Sequence, residues 1–186
     1  MNENENAKVN EPTIDFVVEP LLDKNNERFT AFPIKYQQLW DFYKKALSLF
    51  WKAEEIDMSC DRKDFEESLT EDEQHFIERV LAFFASADNI INMNLRTRFL
   101  NEITIMEAQV TYGWQLAIEN IHAEVYSLML EKIISDVDKR YELFNAIRNS
   151  NAIREMAQWQ FKWIESTESF AHRLIGFALV EGVFFS

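Results

Sequence analysis

The sequence predicts an all-α protein, and three observations predict it. Only 3 Gly and 3 Pro interrupt 186 residues, so there is little to break a helix. Apolar side chains recur at i, i+3, i+4 and i+7 in one stretch after another. Hydrophobic residues make up 47% of the chain, with 16 Phe and 5 Trp, enough for one sizeable core.

Residues 1–14 are rich in Asn and Glu and read as a disordered tail. Residues 15–34 read as an extended N-terminal arm. Its Val17-Val18 and Pro20-Leu21-Leu22 pieces would lie on the surface of the domain or of a partner subunit. Phe32-Pro33 ends the arm, because a residue before proline avoids helical geometry. Residues 35–186 then read as one helical domain.

A first helix is expected over 35–52, with Leu39, Trp40, Tyr43, Leu47, Phe50 and Trp51 at helical spacing. Asp57 to Asp64 reads as a polar connection. Thr70 and Glu73 form a capping box that opens a second helix over 71–97. Its inward stripe is Ile77, Leu81, Phe84, Asp88, Ile91 and Leu95, with Asp88 the exception. The third helix is expected over 102–130, with Gly113 marking a local irregularity. A fourth fits 134–147, and a fifth fits 151–165 with Ile153, Met156, Ala157, Gln160 and Ile164 inward. The sixth starts near Ser166 or Thr167 and runs to Ser186 without a glycine stop. Its stripe reads Phe170, Leu174, Phe177, Glu181, Phe184, and Glu181 is again one acid in an apolar row.

Several classes of function are excluded. A formal charge of −13 argues against nucleic-acid binding, which needs a basic face. The polar, acidic N-terminus is unlike a signal peptide, and no apolar run approaches the roughly 18 residues of a membrane span. One cysteine, Cys60, allows no internal disulfide and fits a reducing, cytoplasmic compartment. There is no glycine-rich phosphate loop, no serine nucleophile elbow and no zinc-type Cys/His spacing. Cys60, His75, His172, the Glu54-Glu55-Asp57 turn and Trp40, Trp114, Trp159 and Trp163 read as structure.

One stretch stands out, Glu119-Asn-Ile-His-Ala-Glu-Val-Tyr126. On a helix, Glu119, His122 and Tyr126 fall within roughly 60° of arc. Their neighbours Leu116, Ala117, Ile118, Ile121, Val125, Leu128 and Met129 are apolar. Unpaired polar groups are costly in such a place, and a metal ion makes the cluster favourable. Glu-x-x-His on a bundle helix is half of a carboxylate-bridged di-metal signature. A single acid in an apolar stripe is ordinarily a boundary residue or half of an ion pair. Asp88, Glu119 and Glu181 interrupt three different helices, and together they read as ligands. Carboxylate and imidazole donors suit iron or manganese. A phenol beside such a centre is a candidate for one-electron oxidation.

These residues resemble the small, radical-generating subunit of class I ribonucleotide reductase, of the aerobic di-iron tyrosyl-radical type. The resemblance runs from Phe32-Pro33-Ile34 to the last residue. It rests on Ser48-Leu-Phe-Trp-Lys-Ala-Glu-Glu-Ile-Asp57, Leu81-Ala-Phe-Phe-Ala-Ser-Ala-Asp88 and the stretch from Glu119 to Tyr126. Leu143-Phe-Asn-Ala-Ile147 and Val180-Glu-Gly-Val-Phe-Phe-Ser186 complete it, in the family's order. It implies a ferritin-like helical bundle that is incomplete here, with the C-terminal helices missing. It implies two iron ions as cofactor, with manganese as the alternative.

By the same resemblance, Asp88, Glu119 and His122 match ligands of the first metal, with Glu119 bridging, and Glu181 matches a ligand of the second. Tyr126 matches the radical tyrosine. Trp51 matches the tryptophan on the electron route to the large catalytic subunit, and Phe185 matches an apolar residue packed around the radical. The family's second Glu-x-x-His and its docking tail have no counterpart in these residues. The expected enzyme is therefore a ribonucleoside-diphosphate reductase small subunit, active only with a C-terminal fragment of the small subunit and with the large subunit. Homodimeric pairing of small subunits is expected as well. A metal-poor, non-catalytic scaffold or regulator of a reductase and an inactive truncation product are the alternatives.

Overall fold

The computed structural model describes residues 19–185, so the expected 1–14 tail lies outside the described residues. Helices α1 (Gln37–Ser48), α2 (Asp61–Ser68), α3 (Glu71–Asn94), α4 (Leu100–Glu102) and α5 (Met106–Ile133) make up the first part of the bundle. Helices α6 (Val137–Phe144), α7 (Ala146–Asn149), α8 (Asn151–Ile164) and α9 (Phe170–Leu179) follow. No strand occurs among the described residues. None of these helices is long and apolar enough to cross a membrane.

The two long helices, α3 and α5, form the main pair, with α1 packed on α5 and α8 packed on α3. α3 begins where the sequence places it. Thr70 Oγ1 accepts from Glu73 N, and Glu73 Oε2 accepts from Thr70 N. Two apolar clusters hold the bundle. One gathers Phe65, Ala82, Phe83, Ala87, Leu130, Ile133, Ile134, Leu143, Ala146 and Ile153. The other gathers Ile91, Leu95, Phe99, Ile103, Ile105, Ala108, Phe170, Phe177 and Val180. α3 runs from the first cluster into the second, and Asp88 sits at the crossing. Each large side chain buried there contributes about 1.5–3 kcal/mol.

Several expectations need correction. Gly113 lies within a regular helix. The irregular turns are π-helical and fall at Leu95–Phe99, where α3 had been expected to run on to 97, and at Val180–Phe184. The fourth helix breaks at Asn145 into α6 and α7, because Asn145 N turns back to Tyr141 O and Glu142 O. The expected polar connection holds helix α2, which buries Phe65 in the first cluster. α1 stops at Ser48, so Trp51 lies in the connection after it. The buried residues of α3 are Glu78, Ala82, Phe83, Ala87, Asp88, Ile90, Ile91, Asn92 and Asn94, with Leu95 buried on the turn that follows, while Ile77, Leu81 and Phe84 are half-buried.

Two buried acids carry the outer parts. Glu107, 1% exposed, accepts from Arg28 Nη2 at 2.6 Å and from the backbone of Lys35 and Tyr36 at 2.7 and 3.3 Å. This ties the segment before α1 onto α5. Leu21 O and Asp23 O accept from the Thr104 hydroxyl in the same region. Glu78 on α3 meets Lys139 Nζ of α6 at 2.5 Å.

Candidate metal centre

Asp88, Glu119 and His122 meet where α3 faces the middle of α5. Each offers a donor atom, and the three atoms lie within 4.8 Å of one another. The spacing of α5 aligns Glu119 and His122, and Glu119 Oε2 lies 2.8 Å from His122 Nδ1. Asp88 is 1% exposed, and its Oδ2 has no hydrogen-bond partner among the described residues. A buried carboxylate oxygen with nothing to accept from is costly, and a cation removes that cost. Glu181 stands outside this triad, on the π-helical turn after α9. Its Oε1 accepts from Gln115 Nε2 at 2.7 Å.

The electrostatics say the same. Burial, and then the charge of Glu119, raise Asp88 from 3.8 to about 7. Burial and Glu119 also raise Glu181 from 4.5 to about 7, against the hydrogen bond from Gln115 and the charge of His122. The hydrogen bond to Glu119 raises His122, helped by the charges of Glu119, Asp88 and Glu181 and opposed by burial. Three acids and one imidazole thus share too little water and too little positive charge. Near neutral pH Asp88, Glu181 and His122 therefore hold on to protons that an exposed carboxylate or imidazole would release. Divalent cations would displace those protons and balance the carboxylates.

Tyr126 lies one turn beyond His122, half-buried. Burial and the charges of Asp88 and Glu119 raise its phenol above 10. The ring of Phe84 stacks on Tyr126 with centroids 5.0 Å apart, and Phe185 stacks on Phe84 at 5.4 Å. Phe185 therefore reaches Tyr126 through Phe84. On the other side of the triad, Trp51 stacks on His122 with centroids 5.6 Å apart and planes 28° apart.

A family model described as "Ribonucleotide reductase, small chain" matches residues 28–186. The chain therefore belongs to this family. The ribonucleoside-diphosphate reductase small subunit of Dictyostelium discoideum is 52% identical over 172 residues, which is 92% of this chain and 51% of that protein. The corresponding protein of Nicotiana tabacum is 51% identical over 168 residues, 90% of this chain and 51% of that one. Among solved structures, the Rnr4 homodimer of the Saccharomyces cerevisiae ribonucleotide reductase superposes with a TM-score of 0.76 at 37% identity. That match covers 88% of this chain and 52% of the yeast chain. The bundle is thus of the ferritin-like type. The chain spans about half the length of the curated relatives it matches.

Small chains of this reductase bind a di-metal centre, and the triad is the candidate metal-binding group of this small chain. The donors fit it. They are oxygens and one imidazole nitrogen, and one buried oxygen lacks a partner. Two residues near the site were missed in the sequence. Gln115 precedes Glu119 by one turn on the same face, a spacing that marks it only in retrospect. Asn92, one turn past Asp88 and 4% exposed, donates through Nδ2 to Asn120 Oδ1 at 3.1 Å, which joins α3 to α5 beside the site. Cys60 is exposed in its loop, and His172 Nδ1 meets the Ser169 hydroxyl at 2.8 Å, away from the triad.

Proposed function

We propose that this chain carries the metal-binding and radical-bearing half of a class I ribonucleotide reductase small subunit. The observation that carries the reading is the triad of Asp88, Glu119 and His122 with Tyr126 one turn further along the same helix face. Asp88, Glu119 and His122 hold the first iron, and Glu181 holds part of the second. The remaining ligands come from outside these residues, on a C-terminal fragment of the small subunit. When bound, the di-iron centre supplies the one-electron oxidising power for a phenol.

The chain's own residues do the rest. A phenol is protonated at neutral pH, and burial and the charges of Asp88 and Glu119 hold the Tyr126 proton more firmly still. It therefore gives up a proton along with an electron. Phe84 covers the ring, with Phe185 stacked behind it, and together they keep water and reductants away from the radical. Trp51, stacked on His122, gives the electron route toward the large catalytic subunit, where ribonucleoside diphosphates are reduced. A cytoplasmic enzyme with paired small subunits is the setting this implies.

The test is reconstitution of the chain with the C-terminal half of a close relative, using ferrous iron and oxygen. Iron content and low-temperature EPR are then read together. Bound iron and a tyrosyl signal are expected from the pair. Tyr126→Phe is expected to abolish the signal and keep the iron. A signal that survives in Tyr126→Phe would place the radical elsewhere, and a pair that takes up no iron would end the proposal.

A further inference from the structure

Gln115, Glu119, His122 and Tyr126 follow one another along α5 at steps of four, three and four residues, so all four share one face. The last three are accounted for above, and Gln115 is not. Its Nε2 donates to Glu181 Oε1 at 2.7 Å. This is the one hydrogen bond that the Glu181 side chain makes among the described residues. Glu181 needs such a contact more than the triad does. It sits on the π-helical turn Val180–Phe184, where the backbone departs from the register of α9. Beside it, Gly182 has open space where a Cβ would stand. Packing holds this turn through Val180, Phe184 and Phe185 but leaves the carboxylate to be aimed by something else.

The chemistry of an amide suits this task. Gln115 donates a hydrogen bond without bringing a charge, so Glu181 keeps its full attraction for a cation. An Arg or Lys at 115 would neutralise the ligand. The amide occupies Oε1 and leaves Oε2 for a metal ion. We infer that Gln115 is a positioning residue that holds Glu181 in place as a ligand of the second metal. The inference rests on the di-metal reading above. Partners of this kind orient a ligating carboxylate, and their loss costs about 10–100-fold in metal affinity.

The experiment uses Mn²⁺ and the full 186-residue chain reconstituted with the C-terminal half of a close relative, with free Mn²⁺ counted by its six-line EPR signal. Gln115→Leu keeps the volume and removes the donor, and it is expected to weaken binding about tenfold or more. Gln115→Glu places a like charge against Glu181 and is expected to weaken it further. In a Glu181→Gln background, Gln115→Leu is expected to add nothing, which a purely structural role would not produce. Metal-free melting temperatures should stay near the parent's in both backgrounds. Equal Mn²⁺ affinity in the parent and Gln115→Leu, or an equal loss in both backgrounds, overturns the inference. An Asp88→Asn variant that binds Mn²⁺ as the parent does, or a parent that binds none, overturns the di-metal reading itself and the inference with it.

Discussion

The site should make the metal-free protein less stable as pH rises through neutrality. Asp88 is raised from 3.8 to about 7, so between those values the folded chain holds a proton that the unfolded chain has released. Stability from this group is complete below the unfolded value, falls as pH rises, and is gone above the folded value. The whole change is worth roughly 4 kcal/mol, and about 2 kcal/mol of it falls between about pH 5.5 and 8. Glu181, raised to about 7, and His122, raised by Glu119, both act in the same direction. Glu73, Glu102 and Glu107 are lowered, so they are ionised in both states throughout this window and add no slope. Urea unfolding in the presence of a chelator, followed by tryptophan fluorescence, should therefore show a loss of at least about 2 kcal/mol from about pH 5.5 to 8. Asp88→Asn removes the titrating group and keeps the shape. It should flatten that slope and be more stable than the parent at about pH 8. Stability that is level or rising across the window, or a variant with the parent's slope, would refute the reasoning.

Two further outcomes follow from packing and from charge burial. Glu107→Ala removes the carboxylate partner of Arg28 and the acceptor of two backbone N–H groups; a loss of about 3–5 kcal/mol is expected in urea unfolding, and a loss under about 1 kcal/mol would mean that the arm is not held by this acid. A Cβ at Gly176 would meet Trp163 Cδ2 at 2.5 Å, so Gly176→Ala should cost about 1–3 kcal/mol in the same assay, and a neutral substitution would show that α8 and α9 separate freely.

Much of the bundle was legible before the structure. The capping box at Thr70 and Glu73 announced the start of α3, because both halves of it are local. The apolar period of α8 named Ile153, Met156, Ala157, Gln160 and Ile164; Met156 is half-buried and the other four are buried. The ends of helices were harder to read. α2 has only Phe65 as a buried anchor in an otherwise polar run, too little to show a period. The π-helical turns at Leu95–Phe99 and Val180–Phe184 leave no mark in composition. They arise where two helices must seat Leu95, Phe99, Phe177 and Val180 in one cluster.

The local spacing of α5 determined by itself that Glu119, His122 and Tyr126 share a face, since helical geometry follows from neighbours along the chain. The same holds for the apolar setting that makes those groups costly to leave unpaired. That Asp88 comes within reach of Glu119 and His122, and that Trp51 stacks on His122 from a connection outside any helix, was decided by the packing of α3 and α1 on α5. So was the hydrogen bond from Gln115 to Glu181, which joins residues 66 positions apart. No period along the sequence encodes such a contact. It depends on how far one helix slides and turns against another, and the volumes of all the side chains between them set that together.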